Sequence, residues 1–160
     1  RRVVCSGEAL SPVLRDRPFM AFCAIYTFAG MAYSLMMVLF PVYVKENFGV
    51  PESSYGFIMA ANAVMAVLFQ YGVTRLTQRY YHLPVLAVGS LFYALGVGSV
   101  AWGTGFASFL LSMVILTIGE LIMIPTSTAL TANLAPPDMR GRYMGMYGLT
   151  WAVAMGILPS

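Results

Sequence analysis

Charge is what this chain has least of. Nine Lys and Arg, six Asp and Glu and a single His are spread over 160 residues, whereas 59% of the residues are hydrophobic. A soluble domain carries about 25% charged residues, and so few ionisable groups cannot cover the surface of a water-soluble fold this apolar. Cysteine is nearly absent as well. Cys5 and Cys23 give neither a disulfide framework nor a metal-ligand spacing, and no metal or cofactor site is expected. An intramembrane enzyme would need a nucleophile with its base, or a ligand set, at membrane depth. The only histidine, His82, falls at a helix edge, no G-x-S-x-G occurs, and Asp16 and Asp138 fall in loops, so an enzyme is not expected. The net charge of +3 forms no basic face or motif of the kind that binds nucleic acid. Disorder is excluded because there is too much apolar surface to bury. A membrane protein remains.

The few charges are also placed to leave long gaps. Residues 18–44, 53–74, 80–119, 121–137 and 143–160 contain no Asp, Glu, Lys or Arg, and together they make up 124 of the 160 residues. A bilayer core takes roughly 20 apolar residues as helix, so the first two gaps hold one span each. The 40-residue gap would extend about 60 Å as a helix and must fold back, with Gly103-Thr104-Gly105 as the turn between Trp102 and Phe106. Membrane β-strands would alternate polar and apolar residues, and these runs do not. The expected fold is all-α, a polytopic bundle of five helices at about 19–44, 54–74, 83–102, 106–133 and 143–160, preceded by a polar segment, 1–17, read as a loop or linker. The chain opens on Arg1 and closes on Leu158-Pro159-Ser160, and the expectation is an internal fragment of a longer polytopic protein. A five-span protein is the alternative.

The loops set the orientation. Arg1, Arg2, Arg15, Arg17, Arg75, Arg79, Arg140 and Arg142 all fall on one side of a five-helix topology, and only Lys45, beside Glu46 and Glu52, falls on the other. Basic loops stay in the cytoplasm, which puts the amino terminus there.

Within the spans, Glu120 stands out, near the middle of the fourth helix. A charge at the bilayer centre costs on the order of 2.5–3.5 kcal/mol even on lenient scales, so something must compensate it. On a helical wheel Thr117, Ser127 and Thr131 lie within about 60° of Glu120, and Leu111, Ile115, Ile118 and Ile122 form the opposite, lipid-suited face. Two readings fit. Glu120 lines a polar cavity and binds a proton or a cationic ligand, or it is a protonated acid that hydrogen-bonds a neighbouring helix and fixes packing. Tyr26 and Tyr33 on the first helix, Asn62 and Gln70 on the second, and Tyr147 and Trp151 on the fifth are further candidates. Aromatics near a midplane acid can bind a lipophilic cation, and they can equally serve as packing. Gly148, Ala152 and Gly156 give the fifth helix a flat side for close helix approach, and Pro41, Pro125 and Pro159 mark kinks. Gly96-x-Gly98-x-x-Ala101 formally matches a dinucleotide-binding fingerprint, but it lies at the end of a span and is rejected.

The segment Leu134-Ala135-Pro136-Pro137-Asp138-Met139-Arg140-Gly141-Arg142-Tyr143-Met144-Gly145, preceded by Gly119-Glu120 and Pro125, resembles the tenth-to-eleventh-helix region of major facilitator superfamily transporters, most of all bacterial multidrug-efflux members of the drug:proton antiporter type. Gly72-Val73-Thr74-Arg75-Leu76-Thr77-Gln78-Arg79 keeps the glycine and the basic residues of the family's loop motif but lacks its acid, as carboxy-terminal halves tend to. The resemblance implies helices seven to eleven of a two-half, twelve-helix transporter working by alternating access. Its partners would be the missing amino-terminal half of the same chain, the lipid bilayer, protons and a small-molecule substrate. The implied function is proton-coupled efflux of drug-like or lipophilic molecules across the plasma membrane of a bacterium, with Glu120 facing the cavity and Thr117, Ser127, Tyr26, Tyr33, Asn62, Tyr147 and Trp151 as the other lining candidates. Transport of a metabolite on the same fold, or a non-transporting membrane scaffold, are the alternatives.

Overall fold

The computed structural model describes residues 11–48 and 51–156. Arg1, Arg2, Cys5, Leu158, Pro159 and Ser160, which entered the reading above, lie outside them. Among the described residues six α-helices follow one another: α1 (Ser11–Arg15), α2 (Arg17–Phe48), α3 (Glu52–Thr77), α4 (His82–Ser99), α5 (Phe106–Leu134) and α6 (Arg140–Gly156), with a 3-10 turn, Val100–Trp102, closing α4. No strand occurs among the described residues, so the molecule is an all-α helix bundle. Among the described residues four segments are long and apolar enough to cross a membrane: Arg17–Phe48, Ser53–Thr77, His82–Trp102 and Phe106–Leu134. The fifth expected span, 143–160, is described only as far as Gly156.

The helices form two compact units. One comprises Arg1–Leu35 with Thr131–Ser160, the other Met36–Leu130.

In the first unit, the segment expected to be a loop carries a short helix. Residues 11–15 coil because Val13 has an apolar surface to meet: it is fully buried with Phe19, Cys23, Ala135 and Tyr143, and Met20, Phe22, Met139 and Met146 pack around them. Asp16 then separates α1 from α2 and caps the second helix. Its carboxylate accepts the Phe19 N–H at 3.2 Å and its backbone carbonyl accepts that of Met20 at 2.9 Å, the geometry expected of an acid at an N-cap. Pro18 sits in the first helical turn, where its missing N–H costs nothing. The other oxygen of Asp16 receives the Tyr143 hydroxyl at 2.8 Å, which ties the start of α2 to the start of α6.

The close approach between α2 and α6 is made elsewhere than on the Gly148, Ala152 and Gly156 side. A Cβ built on Gly148 or Gly156 meets nothing within 4 Å among the described residues, whereas one on Gly30 would stand 2.8 Å from Ala154 Cβ. The flat stripe of α6 is thus turned away from α2, and Ala154, one of its buried residues, makes the contact.

In the second unit, α4 and α5 form a helical hairpin around the 103–105 turn. The Ser108 hydroxyl accepts the N–H groups of Thr104 and Gly105, both at 3.1 Å, and donates to the Gly105 carbonyl at 2.7 Å. The two helices touch backbone to backbone. A Cβ on Gly96 would lie 2.6 Å from the Leu116 backbone, and one on Gly119 would lie 2.7 Å from Tyr93 N and 2.9 Å from the Gly89 carbonyl. Gly96 is therefore a packing glycine. Near the turn, Phe109 is fully buried among the rings of Phe40, Tyr43 and Phe48, with centroids 5.1–6.5 Å away. Both internal prolines, Pro41 in α2 and Pro125 in α5, sit inside helices that continue past them.

Candidate functional site

The polar centre of the second unit lies between α3 and α5. Asn62 Nδ2 donates to Thr117 Oγ1 at 2.9 Å and to Glu120 Oε2 at 3.1 Å. Thr117 and Glu120 are three apart on α5, so one helical turn presents both to a single residue of α3. The Thr117 hydroxyl gives its own proton to the Met113 carbonyl at 2.7 Å, leaving a lone pair for the amide. Thr117 is fully buried and Glu120 half-buried. The arrangement gives the Glu120 carboxyl group two chemical options. As an anion it accepts a charge-assisted bond from Asn62. As a neutral acid it still accepts through its carbonyl oxygen, and its own proton is available to another group.

Ser127 shares the stripe of Glu120 but lies two turns further along α5. It is fully buried, and its hydroxyl donates to the Ile124 carbonyl at 3.0 Å. The Asn62–Thr117–Glu120 cluster thus gathers three of the expected polar residues, and Ser127 stands two turns away from it. Gln70 is the second polar candidate on α3. Its Nε2 donates to the Leu121 carbonyl of α5 at 3.4 Å and to Thr74 Oγ1 at 3.1 Å. Asn62 meets residues 117 and 120 and Gln70 meets 121, so α3 and α5 run side by side in the same sense. Farther along the pair, a small cavity of about 10 Å³ is lined by Thr77, Gln78, His82, Pro125, Thr126 and Ala129. The motif arginines Arg75 and Arg79, with Gly72 and Leu76, line an open groove of about 210 Å³.

The aromatic candidates belong to the first unit and form one connected row. Tyr26 lies 5.2 Å from Tyr147 and 6.1 Å from Trp151, centroid to centroid, and Tyr33 lies 6.1 Å from Trp151. The pairs with Trp151 are edge-to-face, the arrangement favoured by ring quadrupoles. Tyr26 and Tyr147 are only 7% and 8% exposed, so their rings are already spent on packing α2 against α6. Tyr33 and Trp151 keep part of their surface open. Phe22, which sequence reading passed over, joins the row: it stacks on Tyr147 at 6.3 Å and on Tyr26 at 5.7 Å. The signal was present, because Phe22 precedes Tyr26 by one helical turn. Among the described residues no three His, Cys, Asp or Glu side chains gather as a metal would require.

Comparison with known proteins adds a lineage to this geometry. The family model described as Major Facilitator Superfamily matches residues 3–159. A protein of Planococcus maritimus named as a Na(+), Li(+), K(+)/H(+) antiporter is 23% identical over 161 residues, which cover 92% of this chain and 38% of that protein. The multidrug resistance protein MdtH of Escherichia coli (strain K12 / DH10B) is 28% identical over 153 residues, 94% of this chain and 37% of its own length. An uncharacterized MFS-type transporter of Bacillus subtilis, YhjO, is 24% identical over 143 residues, 89% of this chain and 36% of its own. The chain thus spans less than two-fifths of the relatives it matches.

Proposed function

This chain belongs to the major facilitator superfamily of integral membrane transporters, and from that premise we propose that it is the carboxy-terminal membrane domain, helices seven to eleven, of a proton-coupled exporter of drug-like or lipophilic small molecules. The observation that carries the reading is the bond from Asn62 to Glu120 between two helices apolar enough to span the bilayer. An acid at that depth has to be partnered or neutral. A neutral amide partner lets it be either, as a group that takes up and gives back a proton must. In this reading protonation of Glu120 and binding of cargo compete, so each releases the other as the two halves of the transporter rock between inward-open and outward-open states. Tyr33 and Trp151, the half-exposed members of the aromatic row, would offer ring faces to a lipophilic cation. Tyr26 and Tyr147 would brace them from behind. The amino terminus of the segment would face the cytoplasm of a bacterial cell.

A second reading follows from the named activity of the Planococcus maritimus relative. The same carboxylate can exchange a proton for an alkali cation, because both neutralise it. One experiment separates the two. In everted membrane vesicles carrying the full-length transporter, proton movement is followed on adding ethidium, a lipophilic cation, or Na⁺, Li⁺ or K⁺. Ethidium-driven proton release that Glu120→Gln abolishes is the expected result. Release driven only by alkali cations and lost in the same variant selects the second reading, and full proton coupling retained by Glu120→Gln rejects both.

A further inference from the structure

The carbonyl of Leu121 has lost its helical partner. An α-helix pairs each carbonyl with the N–H four residues on. Four residues on from Leu121 stands Pro125, which has no N–H. At membrane depth such an orphan has to be satisfied from outside the ladder. Here the satisfying group comes from α3, where Gln70 Nε2 reaches the Leu121 oxygen at 3.4 Å and is itself steadied by its second bond, 3.1 Å to Thr74 Oγ1 one turn along its own helix. Both amide hydrogens are thereby used. Leu121 is 3% exposed and is the residue next to Glu120. Two amides of α3 therefore hold consecutive residues of α5, Asn62 the carboxylate of Glu120 and Gln70 the backbone just past it.

Building on the reading of Glu120 as the proton-binding group, we propose that Gln70 is its positioning residue: it bridges the gap that Pro125 opens in α5 and fixes the backbone from which Glu120 projects. A backbone bond at this place would make α5 a continuous rod. A side-chain bond, by contrast, can be exchanged for another partner during the transport cycle without unwinding the helix. Pro125 supplies the freedom to bend and Gln70 selects one of the bent states. Gln70 touches neither cargo nor proton in this scheme.

The test is a two-residue cycle in the full-length transporter, reconstituted and assayed for ethidium-driven proton exchange per folded molecule. Gln70→Leu is expected to lower turnover roughly tenfold, the scale of one buried hydrogen bond, with the KM for ethidium within about twofold. In the Pro125→Ala background, residue 125 again offers an N–H to Leu121, and the same Gln70→Leu change is expected to cost less than about twofold, the non-additivity of a shared partner. A cargo-independent readout accompanies it. The infrared band of an isotope-labelled Leu121 carbonyl should move to higher frequency in Gln70→Leu and stay put when Gln70→Leu is added to Pro125→Ala. An unmoved band, an equal loss in both backgrounds, or a loss confined to the folded fraction with turnover per folded molecule intact overturns the proposal. Glu120→Gln in the same assay keeps the two ideas apart. If that variant retains full proton coupling, the reading of Glu120 falls; if it loses coupling while the cycle shows none between Gln70 and Pro125, only the role of Gln70 falls.

Discussion

At the scale of single residues, the choice of Asn62 opposite Glu120 separates two kinds of buried acid. An arginine or lysine in that place would hold the carboxylate ionised, and the pair would be a fixed structural element costly to break. An amide N–H donates to a carboxylate and to the carbonyl oxygen of the neutral acid alike, so Asn62 can follow Glu120 through both states. Asn62→Leu removes the donor to Glu120 at 3.1 Å and the donor to Thr117 at 2.9 Å. Thr117 keeps its own bond to the Met113 carbonyl, so of the two acceptors only the carboxyl group is left without a hydrogen bond among the described residues. A hydrogen bond to a charged group contributes about 1.5–3 kcal/mol, so proton-coupled turnover per folded molecule is expected to drop about 10- to 100-fold, measured as ethidium-driven proton release. The residues of this cluster could be picked from the sequence because a midplane acid and a helical stripe are both visible there. Periodicity selects a face and not atoms, however. It put Ser127 on the same face, and Ser127 lies two turns beyond the cluster, with one bond to the Ile124 carbonyl. The partner of Gln70 could not be read at all, since it is a backbone oxygen made available by a proline on a different helix.

At the scale of elements, the glycines separate contacts that matter from open surface. Gly96 and Gly119 sit where α4 and α5 meet backbone to backbone, with only 2.6–2.7 Å to spare for a Cβ. The obstructing atoms belong to the Leu116 and Tyr93 main chains and cannot swing aside. Gly96→Ala and Gly119→Ala are each expected to destabilise by about 1–3 kcal/mol, the usual cost of overpacking, whereas Gly148→Ala, facing open space, should stay within about 0.5 kcal/mol. Thermal unfolding of the detergent-solubilised transporter checks all three. Sequence alone points to small residues in spans without saying which helix each one meets. It shows the Gly148, Ala152 and Gly156 stripe but not the meeting of Gly30 with Ala154, which depends on how α2 and α6 are brought together. The helix at Ser11–Arg15 was hidden for a related reason: five residues hold too little pattern to announce a helix, and Val13 becomes buried only because Phe19, Cys23 and Tyr143 cover it.

At the scale of the whole molecule, the helical membrane class and the family were legible because both rest on coarse features, the charge-free stretches and the 134–145 segment. The sidedness drawn from the arginines has a direct consequence for labelling. A cysteine introduced by Thr104→Cys, in the α4–α5 turn, is expected to react with a membrane-impermeant maleimide in intact cells, and one introduced by Gln78→Cys, between α3 and α4, only after permeabilisation. The reverse pattern would invert the topology and move the arginine-rich loops outside. The hairpin closed by Ser108 also bears on how the molecule is made. A ribosome delivers α3 first, then α4, then α5, so when Glu120 emerges, Asn62 and Gln70 have already left the exit tunnel. A short turn returns α5 alongside α4 within a few residues. Glu120 is thus made after Asn62 and Gln70, so its donor already exists in the nascent chain when α5 is completed, an advantage that a lone span carrying the same acid would not have.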